Sequence, residues 1–173
     1  MKVVIVGGVA GGATAAARIR RLDEHAEITV FERSGYISYA NCGLPYYIGD
    51  VITDPEELTL QTPESFFKRF HVNMKIHHEV ISIHPDRKTV SVKNLENGEI
   101  FEENYDKLIL SPGAKPTQPR LPGAGIDKLF TLRTVEAVSY THLVLMFGNL
   151  DRLFRIAHIV QFLKGNKVLT AKS

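Results

Sequence analysis

The opening segment constrains the fold more than any other part of the chain. It begins with a short run of β-branched residues, KVVIV, which ends at Gly7 and Gly8. A helical stretch follows from Ala10 to Leu22, and EITVFE then forms a second predicted strand. A strand, a glycine turn, a helix and a strand within about 30 residues predict a βαβ unit with parallel strands and a right-handed crossover. The predicted fold class is therefore α/β and Rossmann-like.

The rest of the chain predicts a parallel sheet with a smaller antiparallel meander. Two short helices are indicated, one at Asp54 and Pro55 and one at Thr62 and Pro63. From Val72 the apolar residues alternate in VNMKI, EVISIHP and TVSVKN, and EIFEENY completes the predicted meander. The continuous apolar run in DKLILSPG predicts an interior strand of the parallel sheet. The proline-rich segment PGAKPTQPRLPGAG predicts an exposed connector.

Composition excludes several classes of protein. With 21 Lys and Arg against 19 Asp and Glu, the formal net charge is +2, which argues against a general nucleic-acid binder. One cysteine in 173 residues excludes an internal disulfide and any CxxC site. The N-terminal apolar run imitates a secretory signal, but four glycines interrupt it and an amphipathic helix continues it. No other apolar run approaches the length of a membrane span. We therefore expect a cytoplasmic protein without a membrane segment.

The glycine turn predicts a dinucleotide site. Backbone amides and the helix dipole can hold a pyrophosphate where a strand passes into a helix. Val9 replaces the middle glycine of the G-x-G-x-x-G fingerprint, but Glu32 lies 20 residues beyond Gly12, where an acid can bind an adenosine ribose. The alternative is a turn that only lets the helix and strand pack closely. These residues do not distinguish FAD from NAD, because both cofactors present the same adenosine and pyrophosphate.

The only cysteine, Cys42, lies in the polar segment NCGLP. Pro45 can occupy the first turn of a helix, which would place the thiol near a helix N-terminus that favours the thiolate. A lone cysteine is more often a small buried hydrophobe, but Asn41 and Gly43 beside it argue for an accessible thiol. The sequence thus predicts a nucleotide-binding fold with one reactive thiol, and an NAD-binding module with a buried, inert thiol remains the simpler alternative.

Three segments together resemble a known family. They are KVVIVGGVAGGATAAARIRRLD, SYANCGLPYYIGDVI and YDKLILSPGAKP. Up to about Val138 the chain is similar to the N-terminal part of the coenzyme A disulfide reductases. These belong to the single-cysteine branch of the flavin disulfide reductases, with NADH oxidases, NADH peroxidases and persulfide reductases. A substituted middle glycine is usual in this branch, and the cysteine segment is its specific motif.

The resemblance implies an FAD-dependent enzyme in which NAD(P)H reduces a small-molecule disulfide such as coenzyme A disulfide. Cys42 would be the catalytic residue and would face the flavin. The full-length family is homodimeric. The implied FAD-binding residues are Gly7, Gly8, Ala10, Gly11, Gly12, Glu32, Arg33, Ser111, Pro112 and Gly113.

The same resemblance implies a substrate-binding set. Its members correspond to positions that contact coenzyme A in the family, and they are Thr14, Arg18, Arg21, Ser38 and Asn41. Two of these arginines lie three apart on one helix face, which suits phosphate groups, although a solvated basic face explains them equally well. Phe70 stands where the family carries a lysine, so a persulfide or oxygen remains an alternative substrate. We expect no metal site, because the adjacent His77 and His78 point to opposite faces of a regular strand.

The C-terminal part departs from the family pattern. We expect residues 1–113 to form an incomplete FAD-binding domain and residues 114–138 to lead toward an NAD(P)H domain that the chain lacks. Residues 139–173 then form a tail without family resemblance, in which KVLTA could cover an open sheet edge. The chain is interpreted as a truncated fragment with little or no NAD(P)H-dependent turnover, and a catalytically idle FAD-binding fragment is the alternative to an enzyme.

Overall fold

The N-terminal βαβ unit is present as predicted. The computed structural model describes residues 1–116 and 132–138. The two strands are parallel, with Val4 opposite Thr29, and Val3, Val4 and Ile5 of the first strand are at most 1% exposed. The elements are β1 (Lys2–Val6), α1 (Ala10–Leu22) and β2 (Glu27–Phe31).

Two further strands extend this unit into a parallel sheet of order β3-β2-β1-β7. They are β3 (Asn73–Lys75) and β7 (Lys107–Leu110). The prediction that VNMKI belongs to the meander is wrong, since β3 pairs in parallel with β2. The alternating pattern of this segment fits either sheet. Burial of Val72 and Met74 in the core under α1 places it in the parallel sheet. DKLIL joins the parallel sheet as predicted, but within the described residues β7 is its edge rather than an interior strand.

The antiparallel meander is confirmed for the later segments. Its strands are β4 (His78–His84), β5 (Thr89–Asn94) and β6 (Ile100–Asn104), in that order across the sheet. One side of the meander packs on the parallel sheet, because Val90 and Val92 share a core cluster with Val4 and Phe31. The opposite face of the parallel sheet packs against α1 and a later helix. The parallel sheet therefore lies between a helical layer and the meander.

Four short helical segments lie between β2 and β3 in the chain. They are a 3₁₀ turn at Asn41–Gly43, α2 (Leu44–Ile48), a second 3₁₀ turn at Pro55–Leu58 and α3 (Pro63–Phe70). The predicted helix at Pro55 is thus a single 3₁₀ turn. The start of α3 is as predicted, because Thr62 and Ser65 form a reciprocal capping box.

The chain divides into two compact units. The first comprises residues 1–39 and 59–114 and contains both sheets; the second comprises residues 40–58 and 115–173. In the second unit, the amide of Ala40 donates to the carbonyl of Leu58, which joins the ends of the 40–58 segment. Residues 139–173, including the KVLTA segment, lie outside the described residues. Within the described part, no helix is long and apolar enough to cross a membrane.

Candidate dinucleotide and thiol site

The glycine turn between β1 and α1 has no room for side chains. Gly7 has φ +96°, and a Cβ atom there would overlap the carbonyl oxygen of Ser111. A Cβ atom at Gly12 would overlap the carbonyl oxygen of Gly7. Beside them, a Cβ atom at Gly11 would meet the Ser111 hydroxyl. The turn therefore brings the ends of β1 and β7 and the start of α1 into direct backbone contact, which only glycine permits.

The start of α1 is arranged like an anion site. No side chain caps its first turn, and that turn contains no acidic residue. The first amides of a helix have no partner within the helix, and Ala10 and Gly11 are exposed there. A pyrophosphate would satisfy these amides and interact favourably with the helix dipole.

The side chain of Glu32 accepts three hydrogen bonds, one of them from the glycine turn. Its side chain is nearly buried, since the residue is 8% exposed. Oε2 accepts a hydrogen bond from the Gly8 amide at 2.7 Å. Oε1 accepts from the amide and the hydroxyl of Ser34, each at 2.9 Å. The carboxylate therefore helps to hold the turn in place. It is also the group for which the sequence predicted a ribose contact.

A cleft opens beside Glu32 at the carboxyl ends of β1 and β2, with a volume of about 110 Å³. Its charged residues are Glu32, Arg33 and Glu79. The full lining is Val6, Gly7, Phe31, Glu32, Arg33, His78, Glu79, Val80 and Pro112. The structure thus places four of the predicted cofactor residues around one cleft, and a ligand commonly binds at this edge of a parallel sheet.

Cys42 is exposed, in agreement with the prediction of an accessible thiol and against a buried one. It lies in the 3₁₀ turn before α2, and Pro45 is in the first turn of that helix. A Cβ atom at Gly43 would approach Cδ2 of Leu58 to 2.9 Å, so that side chain would have to shift. No described residue donates a hydrogen bond to Oδ1 of Asn41, although this atom is buried. The thiol and an unpaired amide oxygen therefore lie next to each other in the second unit.

The predicted substrate residues of α1 share its solvent face. Thr14, Arg18 and Arg21 are exposed, and their spacing places them on one side of the helix. Ser38 follows in the same unit with φ +46°, and its amide donates to the Gly8 carbonyl at 3.1 Å. Asn41 lies in the second unit. The cations of α1 are thus available to an anionic ligand.

Comparison with known proteins identifies the family. The profile of the pyridine nucleotide-disulphide oxidoreductases matches residues 1–154. The chain belongs to this family. Coenzyme A disulfide reductase of Staphylococcus aureus is 50% identical over 135 residues, which cover 78% of this chain and 30% of that enzyme.

Two solved structures show the same fold. The reduced CoADR-RHD of Bacillus anthracis has 50% identity and a TM-score of 0.81, covering 83% of this chain and 26% of that one. The NAD-dependent persulfide reductase from A. fulgidus has 35% identity and a TM-score of 0.77. The match covers 86% of this chain and 27% of that enzyme. The chain therefore spans less than a third of the length of these relatives, and the Rossmann-like fold prediction is confirmed.

Sequence reasoning missed the structural setting of two residues of the first compact unit, His78 and Arg20. His78 lines the cleft beside Glu32, but its place depends on the pairing of β2 with β3, which the sequence misassigned. Arg20 donates five hydrogen bonds to the carbonyls of Asp23, Glu24, Ala26, Phe70 and His71. The sequence showed it only as one charge within RIRRLD.

Phe70, which the sequence analysis compared with a lysine of the family, is a packing residue. Its ring centroid lies 4.7 Å from that of Phe66, and it packs against the core under α1. The guanidinium of Arg69 lies 5.1 Å from the Phe70 ring centroid. As for metals, residues 1–116 and 132–138 contain no group of three His, Cys, Asp or Glu side chains placed to hold an ion.

Proposed function

We propose that this chain is the FAD-binding part of an NAD(P)H-dependent disulfide oxidoreductase that uses Cys42 as its only redox-active thiol. Residues 1–113 would form the FAD-binding domain and residues 114–138 a connector. The proposed substrate is coenzyme A disulfide or a related small disulfide or persulfide. Membership of the oxidoreductase family and the 50% identity to a coenzyme A disulfide reductase support the proposal.

The glycine turn fits the pyrophosphate of FAD. The missing side chains leave the first amides of α1 open to an anion, and backbone carbonyl oxygens leave no room for a larger residue at Gly7 or Gly12. Glu32 and Arg33 would hold the adenosine end, and Ser111, Pro112 and Gly113 would border the turn from β7. When bound and reduced by NAD(P)H, the flavin would supply the two electrons that a disulfide requires. Residues of the chain would bind the cofactor and the substrate and provide the attacking thiolate.

The observation that carries the proposal is the exposed thiol of Cys42. As a thiolate it attacks one sulfur of the substrate disulfide, which forms a mixed disulfide and releases one thiolate. Two electrons then cleave the mixed disulfide, which releases the second substrate thiolate and regenerates the Cys42 thiolate. The released thiolates take up two protons. One protein sulfur is sufficient, because the substrate itself provides the second sulfur of each disulfide.

Arg18 and Arg21, with Thr14, Ser38 and Asn41, would bind the substrate. A coenzyme A moiety carries several phosphate charges, and an exposed arginine pair on one helix face suits them. A persulfide substrate is the second candidate. Phe70 favours it, because this side chain packs on Phe66 and offers no charge to a phosphate.

Flavin absorbance and thiol modification together test the proposal. We expect the purified chain to bind FAD stoichiometrically and its single thiol to react quickly with iodoacetamide at neutral pH. Cys42→Ser is the matched control, because it removes the thiol and leaves the cofactor residues unchanged. A colourless protein that binds NAD and resists alkylation would contradict the proposal and support the simple NAD-binding module.

A further inference from the structure

His78 occupies a fixed position directly beside Glu32. The amide of His78 donates to the Glu32 carbonyl at 2.9 Å, and the amide of Glu32 donates to the Lys75 carbonyl at 2.9 Å. These bonds tie the start of β4 and the end of β3 to the residue after β2. Both residues line the cleft. The histidine is therefore part of the wall at which the adenosine end of FAD is proposed to bind.

The ring of His78 is held by aromatic packing on two sides. Its centroid lies 6.2 Å from that of Phe31 and 6.0 Å from that of Phe101. The ammonium of Lys75 lies over the same two aromatic rings, 5.6 Å and 5.3 Å from their centroids. A side chain packed between these groups has few rotamers, so a hydrogen bond to it requires little loss of side-chain entropy.

The hydrogen bond of Nδ1 determines what the other ring nitrogen can do. Nδ1 lies 2.6 Å from the carbonyl oxygen of Ile76. A carbonyl oxygen only accepts, so Nδ1 carries the proton. In the neutral ring Nε2 is then an acceptor. Within the described residues Nε2 has no hydrogen-bond partner.

The carboxylate of Glu32 is too heavily used to accept from both ribose hydroxyls. A carboxylate accepts about four hydrogen bonds. Three of these positions are taken by Gly8 and by the amide and hydroxyl of Ser34. One position remains, whereas the adenosine ribose has two hydroxyls to donate. A second acceptor beside Glu32 would serve the other hydroxyl, and His78 Nε2 is such an acceptor.

We infer that Nε2 of His78 accepts a hydrogen bond from a hydroxyl of the adenosine ribose, so that His78 and Glu32 share the recognition of this sugar. The inference rests on the proposed function, because it requires the cleft to bind the adenosine end of a dinucleotide. It adds a binding residue from the meander to those of the βαβ unit.

Equilibrium binding of FAD to the whole chain tests the inference through His78→Phe. Phenylalanine keeps a ring between Phe31 and Phe101 but has no acceptor. We expect the Kd for FAD to rise about tenfold, as for the loss of one hydrogen bond at a buried site. His84→Phe is the matched control, since His84 lies on the same strand but binds Ser82 and Ser91 instead. We expect its Kd to equal that of the unchanged chain.

Competition by adenosine nucleotides identifies the group that His78 contacts. ADP, 2′-deoxy-ADP and 3′-deoxy-ADP are each used to displace FAD. Substitution of His78 should weaken ADP about tenfold, and this effect should disappear for the analogue that lacks the contacted hydroxyl. An equal loss for all three nucleotides would overturn the inference, because the variant would then act through the general shape of the cleft.

A second variant keeps the test decisive if the first one unfolds. Glutamine offers an amide oxygen as acceptor, so His78→Gln should bind FAD within about threefold of the unchanged chain. Unchanged FAD binding in a folded His78→Phe protein, equal losses in the His84→Phe control, or a tenfold loss in a folded His78→Gln protein would each overturn the inference. If the unchanged chain binds no FAD, the proposed function itself fails, which is a distinguishable result.

Discussion

Gly12 makes the closest backbone contact of the nucleotide turn, because the position of its missing Cβ is occupied by the carbonyl oxygen of Gly7. This contact explains why a glycine is required although Val9 interrupts the usual fingerprint. The turn depends on glycines at its two ends rather than at its middle. Local sequence was sufficient to locate it, because the strand, turn and helix are consecutive.

We expect Gly12→Ala to lower the free energy of unfolding by about 3 kcal/mol or more, because backbone atoms must move to admit the methyl group. Urea denaturation followed by circular dichroism measures this loss. Gly98→Ala is the control, since its φ is +78° but nothing lies within 4 Å of the added Cβ. That variant should lose only about 1 kcal/mol. Equal losses in the two variants would contradict the packing argument.

The contacts of Lys2 predict how the stability of the fold changes at alkaline pH. A hydrogen bond from its ammonium to Glu103 raises its pKa above the ordinary value of 10.5, with smaller contributions from neighbouring acids and an opposing effect of burial. A raised pKa stabilises the fold fully below the unfolded pKa, and the contribution disappears as pH rises through the folded pKa.

We therefore expect the free energy of unfolding to fall as pH rises above about 10.5, by less than about 1 kcal/mol for this partly exposed pair. Lys2→Met should flatten this part of the stability profile, which urea titrations at several pH values measure. Lys68→Met, at an exposed position of α3, is the control for the loss of one surface charge. An unaltered slope in Lys2→Met would count against the role of the Glu103 contact.

At the scale of elements, the arginines of α1 have two different roles: one stabilises the fold, and two are exposed to a ligand. Arg20 points to the C-terminal ends of α1 and α3, where its guanidinium donates to five carbonyls. These carbonyls have no helical partner, so the cation also interacts favourably with both helix dipoles. Arg18 and Arg21 are exposed and remain available to a ligand.

Arg20→Ala should lower the free energy of unfolding by about 2–3 kcal/mol, because several charge-assisted hydrogen bonds are lost. Arg20→Lys should recover little, since an ammonium cannot reproduce the planar fork. Arg18→Ala, the matched control, should stay within about 0.5 kcal/mol in unfolding experiments while weakening coenzyme A binding in calorimetry. The reverse pattern would exclude this division of roles.

β3 shows where an element cannot be assigned from its own residues. Its three residues alternate in burial like a meander strand, and it lies directly before β4 in the chain. It nevertheless pairs with β2, because α3 carries the chain across the sheet and Met74 completes the core under α1. This pairing also brings His78 to Glu32, so the misassigned strand and the missed site residue have one cause.

For the whole molecule, the FAD proposal predicts ligand-linked stability. A ligand that binds only the folded chain at 100 times its Kd stabilises it by about 2.7 kcal/mol. We expect FAD at that concentration to raise the free energy of unfolding by this amount. FMN, which lacks the adenosine and one phosphate, should have a much smaller effect at equal concentration. Equal effects of FAD and FMN in urea titrations would show that the adenosine cleft makes no contribution.

The sequence by itself determined the βαβ unit, the glycine turn, the acid after β2 and the accessible thiol, because each depends on neighbouring residues or on local polarity. Only the tertiary structure decided the membership of β3, the edge position of β7 within the described residues, the carbonyl contacts of Arg20 and the approach of His78 to Glu32. The physical reason is that strand pairing and burial join residues far apart in the chain, and hydrophobic alternation alone does not specify the partner.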